Sequence, residues 1–311
     1  MKILLTNLFL VDFCGSECWT YAMAKELSRI GHEVYVYTPK IGPFFEEFKR
    51  SNLQFADNGK FDLILDNHQV VKRGNFSGFV IHTCHGIIDA EKPMTGVLNV
   101  AVSNKVSEKY KLNTIIPNGI DTNRFYCKIP LNTGIKRVLS LCKSDSANRV
   151  LLEICNKKNV EFESTFGHEI FNIEDKINEA DIVVGVGRSL LDAMACGRPV
   201  VSFDDRTYYN TRMLGHGYIT PDKFKFQQID NFTASSIGTS LSKEDLEREI
   251  FEKYNPKDGE VNRQFIIEDL SIEKAVDRYL ELYNSSDHSK TFVSKPASSV
   301  KIDSNRYYGW T

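Results

Sequence analysis

Ala180-Asp181-Ile182-Val183-Val184-Gly185-Val186-Gly187-Arg188-Ser189-Leu190-Leu191-Asp192-Ala193-Met194-Ala195-Cys196-Gly197-Arg198-Pro199-Val200-Val201-Ser202-Phe203 reads as a buried strand, a glycine turn, a short helix, a glycine stop and a second buried strand. After Asp181 the first strand is wholly apolar to Val184, as a parallel strand covered on both faces must be. Gly185 and Gly187 let the backbone turn sharply and approach a ligand closely. A helix starting at Arg188 points its free N–H groups and the positive end of its dipole above the sheet, which makes an anion site at Gly187, Arg188, Ser189 and Leu190. Asp192 lies one turn further in, where a carboxylate accepts hydrogen bonds from a ribose diol. The ligand that fits both features is a nucleoside diphosphate.

Outward from this segment, strands and helices alternate. On the N-terminal side, Ile3 to Thr6 reads as a strand. A loop with Gly15 follows, then Ser16 as N-cap of a helix whose apolar face is Trp19, Met23, Leu27 and Ile30, stopped by Gly31. Glu33 to Thr38 is the next strand. Short apolar runs at Leu63–Leu65, Phe79–Ile81, Leu98–Val102 and Ile115–Ile116 look like further parallel strands. Pro117-Asn118-Gly119-Ile120-Asp121 breaks the pattern, and Pro130 to Gly134 is a polar linker. The cycle then restarts with a strand at Arg137–Cys142, a helix around Arg149–Cys155 and a strand at Val160–Thr165. Helices are predicted near Lys243–Tyr254, Glu260–Asp269 and Ser271–Tyr283. The expected organisation is α/β, with two Rossmann-like domains in series. They are a first domain over 1–130, a second over 131–284 and a polar tail over 285–311 that ends in a Tyr307-Tyr308-Gly309-Trp310 cluster.

Length and composition agree with this layout. The chain has 311 residues, 41% of them hydrophobic and 26% charged, enough for two globular domains. A net charge of −2 gives no general attraction to nucleic acid or anionic lipid. No apolar run is long enough to span a bilayer, and Met1-Lys2-Ile3-Leu4-Leu5-Thr6 reads as a strand rather than a signal peptide. Seven cysteines without a Cys-x2-Cys pair suggest reduced thiols and a cytoplasmic protein, with peripheral attachment to a membrane left open. Asn75-Phe76-Ser77 and Asn231-Phe232-Thr233 match a glycosylation acceptor but carry no meaning in a cytoplasmic chain.

The central segment resembles the signature of the retaining glycosyltransferases of the GT-B fold, family 4 (glycosyl transferases group 1). Their pattern is Glu-Gly-(Phe/Tyr)-Gly, four residues, then Glu-Ala-Met-Ala-Cys-Gly-x-Pro-Val-Val. Gly185-Val186-Gly187, Asp192-Ala193-Met194-Ala195-Cys196-Gly197 and Pro199-Val200-Val201 fall in register with it. Asp192 stands where the family has its second glutamate, and Val184 where it has the first. Gly15-Ser16-Glu17 and Ile116-Pro117-Asn118-Gly119-Ile120-Asp121 with Phe125 are also similar, so the resemblance runs to about residue 284.

The resemblance implies two domains facing across a cleft, with the last helix returning to the first. It implies a nucleotide-sugar donor bound mainly to the second domain, with Gly15 and Asn118 also lining the donor. His85, in His82-Thr83-Cys84-His85-Gly86, would face the donor sugar or the acceptor. Lys143 and Arg149 would lie against the diphosphate. No metal and no cofactor are expected, because helix ends and cations neutralise the leaving group; Asp204-Asp205 has the wrong context for a metal-binding pair. The acceptor is left open among lipid-linked glycan, polysaccharide, protein, small molecule and nucleic acid. Two other readings compete. One is a nucleotide-sugar-binding or regulatory protein that has lost turnover, motivated by Val184 and the shortened Asp192. The other is a nicotinamide-dependent oxidoreductase, disfavoured because only Gly15 stands where G-x-G-x-x-G is needed.

Overall fold

Two sheets, each wrapped by helices, account for the described residues of the computed structural model: 1–294, apart from 12, 88, 169, 206–212, 236–237 and 290. The Tyr307-Tyr308-Gly309-Trp310 cluster lies outside them. The first sheet is built from β1 (Lys2–Thr6), β2 (Glu33–Tyr37), β3 (Gln54–Phe55), β4 (Asn58–Asn67), β5 (Asn75–Cys84) and β6 (Leu98–Ala101), in the spatial order β3-β2-β1-β4-β5-β6, all parallel. Helices α1 (Gly15–Arg29) and α2 (Pro43–Arg50) connect the first three of them, and α3 (Asn104–Tyr110) follows β6. Ile3 and Leu5 face one core with Trp19, Met23 and Leu27 of α1, while Leu4 faces a second with Ile64 and Val80. That two-sided burial explains why these strands are unbroken apolar runs.

Three local expectations change. Helix α1 starts at Gly15 with Cys14 as its cap, and Ser16 donates instead to Glu17 (2.9 Å). Ile30 is the C-cap and is exposed; the chain turns away at Gly31 (φ +92°) before a fourth apolar position can reach the core. Ile115 makes only a single bridge to Ala101 and no strand. Helix α2 is additional: Pro43 opens it, and Phe44 and Phe48, one turn apart, are fully buried.

The second sheet contains β7 (Arg137–Ser140), β8 (Glu161–Ser164), β9 (Ile182–Gly185), β10 (Val200–Asp204), β11 (Leu214–Tyr218) and β12 (Thr239–Ser240), in the order β8-β7-β9-β10-β11-β12. The first four are parallel, and β11 and β12 are antiparallel additions that hydrophobic patterning did not reveal. Around it lie α4 (Asp145–Lys158), α5 (Ile173–Glu179), α6 (Arg188–Ala195), α7 (Phe224–Gln227), α8 (Lys243–Phe251) and α9 (Lys257–Asp269).

The handover between sheets occurs ahead of the expected link near 130. Ile116 packs in the first core and Ile120 in the second. Beyond Ile120 the chain is already tied to the second domain: Phe125 packs in its core and the Lys128 N–H donates to Asn178 Oδ1 (2.7 Å). The return crossing runs beside the outgoing one. Ile120 donates to Leu270 (2.8 Å) and accepts from Ile272 (2.9 Å). Helix α10 (Ile272–Asn284) then lays Ile272, Ala275, Val276 and Tyr279 on the first core. The segment after it is not simply a polar tail. Strand β13 (Phe292–Val293) pairs antiparallel with β5, and Ser294 bonds to Gly74 and Phe76.

Candidate functional site

The glycine turn sits at the carboxyl end of β9. Ile182 and Val184 pack under α4 and α8, and Val183 packs under α6 and α9. Val184 therefore contributes to the core and presents no polar group. Gly187 has φ +64° and ψ −136°, a conformation open to glycine, and its N–H donates to the Phe232 carbonyl (2.8 Å). The Ser189 hydroxyl turns back onto the Val186 carbonyl (2.8 Å), Gly185 lies close beneath it, and Leu190 anchors α6 in the core. Gly197 (φ +70°) ends the helix one residue past its C-cap.

Arg188 and Asp192 share one face of α6, at the seam between the two domains. Arg188 Nη1 donates to the Gly119 carbonyl (3.3 Å), and its Nε lies 3.6 Å from Asp192 Oδ1, too far for a hydrogen bond. Both side chains are about nine-tenths buried (11% and 12% exposed). Arg188 Nε, Asp192 Oδ1 and Asn118 Oδ1 are buried with no hydrogen-bond partner among the described residues. Such atoms are costly unless a ligand satisfies them. Burial pushes the Asp192 carboxyl above its ordinary value, against the pull of Arg188 and Arg124.

The first domain faces this seam with the carboxyl ends of β1, β4 and β5. His82 and His85 separate cleanly there. His82 is fully buried, with Nδ1 on Asp66 Oδ2 (2.6 Å) and Nε2 on the Lys92 carbonyl (3.1 Å), so both ring nitrogens are engaged in the core. His85, just past β5, is half-buried; its Nε2 meets Asn67 Oδ1 (2.8 Å) and its backbone N–H donates to Glu91 (3.0 Å). Burial lowers the His85 value to about 4 although Glu91 opposes it, and Arg188 across the seam lowers it further. Burial alone would raise the Glu91 carboxyl, but its pair with His68 (3.0 Å) and the charge and backbone N–H of His85 together hold it at about 2. Gly15 stands exposed at the start of α1, with nothing within 4 Å of where a Cβ would be.

Lys143 and Arg149 do not converge with these groups in the free chain. Lys143 is exposed, and its backbone N–H donates to Asp204 (3.2 Å). Arg149 is 71% exposed and paired with Asp145 of its own helix. Asp204 also accepts from the Ser144 hydroxyl (2.8 Å), so the Asp204-Asp205 pair secures the start of α4. Among the described residues, no group of three or more His, Cys, Asp or Glu side chains is placed to hold a metal ion, and no helix is long and apolar enough to cross a membrane.

Several contributors escaped the sequence reading. Arg124 bonds Glu174 (3.0 Å), lies over the Phe171 ring (4.2 Å) and acts on Asp192. Its position just after the Pro117–Asp121 segment was the available signal. Asn67, His68 and Glu91 carry no motif. The loop that touches Gly187 holds Asn231, Phe232 and Ala234 at positive φ (58°, 61° and 59°), a concentration of strain of the kind found at ligand clamps. It also meets the first domain through Lys105 and Ser235 (2.7 Å).

No protein-family model and no curated protein matches the chain. Solved structures do. AviGT4, a glycosyltransferase involved in avilamycin A biosynthesis, is 12% identical at a TM-score of 0.57, covering 94% of this chain and 100% of its own. A glycosyltransferase from Rickettsia africae is 15% identical at 0.54, covering 91% and 98%. Anabaena HepE in complex with UDP and glucose is 14% identical at 0.57, covering 92% and 100%. Likeness at these identities shows the fold: two Rossmann-like domains facing across a cleft, the GT-B arrangement.

Proposed function

We propose that the chain is a glycosyltransferase that moves a sugar from a nucleotide-sugar donor to an acceptor hydroxyl with retention of anomeric configuration. The observation that carries this reading is the trio of unsatisfied buried atoms, Asn118 Oδ1, Arg188 Nε and Asp192 Oδ1, beside a glycine-opened helix start. One carboxylate oxygen for a ribose diol, one guanidinium N–H for a phosphate and an amide oxygen for a hydroxyl match a nucleoside diphosphate linked to a sugar. The GT-B fold and the UDP and UDP-glucose complexes of HepE support the same ligand class.

In this reading the diphosphate meets the N–H groups of Arg188 and Ser189, since the Leu190 N–H donates to the Gly187 carbonyl (3.0 Å) and lines the turn only, and Gly185 and Gly187 keep that approach clear. His85 and Gly15 border the sugar and the entering acceptor from the first domain. Lys143 and Arg149 complete the cationic wall once Arg149 exchanges Asp145 for phosphate. The departing phosphate takes the acceptor proton on the face it leaves, so no protein nucleophile is needed and catalysis rests on positioning and charge stabilisation. The test is calorimetric titration with UDP and UDP-glucose, followed by assay of glucosyl release. Saturable binding with turnover is the expected result. Binding without turnover identifies the regulatory alternative, and absence of binding to any nucleotide diphosphate or its sugar overturns the site.

A further inference from the structure

The bonds behind His85 determine which of its nitrogens faces the cleft. Ser16, Thr20, Asn7 and Asn67 form a chain of hydrogen bonds under the carboxyl ends of β1 and β4, and Thr20, Asn7 and Asn67 are fully buried. The Ser16 carbonyl can only accept, and the Thr20 hydroxyl donates to it (2.8 Å). With its one proton spent, Thr20 Oγ1 can only accept, and it does so from Asn7 Nδ2 (3.0 Å) and Asn67 Nδ2 (3.2 Å). The Asn67 amide is thereby oriented with Oδ1 toward His85 Nε2 at 2.8 Å. An amide oxygen only accepts, so Nε2 must carry the proton. Reversing the amide would sacrifice the bond between Thr20 and Ser16.

We propose that Asn67 is a positioning residue that locks His85 as the Nε2–H tautomer, leaving Nδ1 as a hydrogen-bond acceptor for a ligand hydroxyl. No described residue bonds Nδ1, and the Trp19 ring, edge-on at 5.3 Å, holds the imidazole plane. The charged or titratable groups facing the ring are Glu91, His68, His82 and Arg188, and their balance with burial keeps it neutral near pH 7. A neutral acceptor nitrogen selects a group with a proton to give. It therefore suits a sugar or acceptor hydroxyl and not a phosphate or carbonyl oxygen. The assignment of that hydroxyl to a glycosyl ligand rests on the proposed function; the tautomer does not.

Imidazole ¹⁵N correlation spectra of the full-length, ligand-free chain test it. A pyrrole-type Nε2 and a pyridine-type Nδ1 are expected for His85, unchanged through the neutral range. Thr20→Val frees the Asn67 amide and should move the tautomer ratio about fivefold toward Nδ1–H, the equivalent of one hydrogen bond, while Thr20→Ser restores it. Asn67→Asp, a second variant of the same size, should retain the Nε2 proton but raise the His85 value so that the ring titrates closer to neutrality. An Nδ1–H wild-type ring, or a ratio indifferent to Thr20→Val, overturns the lock. Spectra as expected, in a chain that transfers nothing from UDP-glucose, support the lock and overturn only the glycosyl assignment.

Discussion

Asp192 sits against Arg188 at 3.6 Å with one oxygen unsatisfied, the condition of a carboxylate that awaits a donor. Asp192→Ala should weaken UDP binding by about 2 kcal/mol, the range of a charge-assisted hydrogen bond, with a far smaller change in stability; calorimetry alongside urea unfolding reads both. The two histidines should part in the same way. His85→Ala should lower turnover strongly and leave UDP affinity nearly intact, as for an interaction made chiefly in the transition state. His82→Ala should instead cost about 1–3 kcal/mol of stability, because it leaves the buried Asp66 Oδ2 without its partner. Acid should loosen the first domain through the neighbours of His85. Its value falls from 6.5 to about 4 on folding, so between those limits the unfolded chain binds a proton that the folded chain refuses, and stability drops as pH falls. Glu91, lowered from 4.5 to about 2, adds stability above pH 4.5 that is lost as pH falls through 2. Urea midpoints measured across this range should decline with acid, and His85→Gln should flatten the upper part of the decline.

Helix α6 and its flanking strands were readable because each signal is local: an apolar run, two glycines, a helical period and a stop. Helix α2 was equally local, with Pro43 and the aromatic pair Phe44 and Phe48, but it went unread. The antiparallel strands β11 and β12 have no such signature. Leu214-Gly215-His216-Gly217-Tyr218 becomes a strand because it pairs with β10, a non-local choice. The crossing at Gly119 is tighter than sequence suggests. A Cβ there would stand 2.7 Å from the Ala275 Cβ and 2.9 Å from the Ile272 Cα. Gly119→Ala should thus push α10 away from the crossing, cost about 1–3 kcal/mol by overpacking, and weaken UDP binding through the Gly119 carbonyl that holds Arg188. Urea unfolding and calorimetry on the same variant check it; unchanged values in both would mean that the crossing repacks freely.

At the scale of the whole molecule, the start of α6 and Arg188 bring positive charge to the seam, which in the proposed function would neutralise a leaving diphosphate without a metal. Turnover of UDP-glucose should accordingly survive EDTA; activity lost on chelation and restored by Mn²⁺ or Mg²⁺ would refute that expectation. The amino-acid order alone determined the alternation of strand and helix, the doubling of the domain and the glycine-opened helix, since periodicity and backbone permissiveness are properties of neighbours in the chain. Tertiary structure alone decided that His82 is buried on Asp66 while His85 stands at the seam, that Arg149 rests on Asp145, and that Arg124, Asn67 and Glu91 belong beside the site. Those outcomes depend on which strand ends meet and which charges are shut away from water. Both are set when residues far apart in sequence pack together, and no local pattern encodes them.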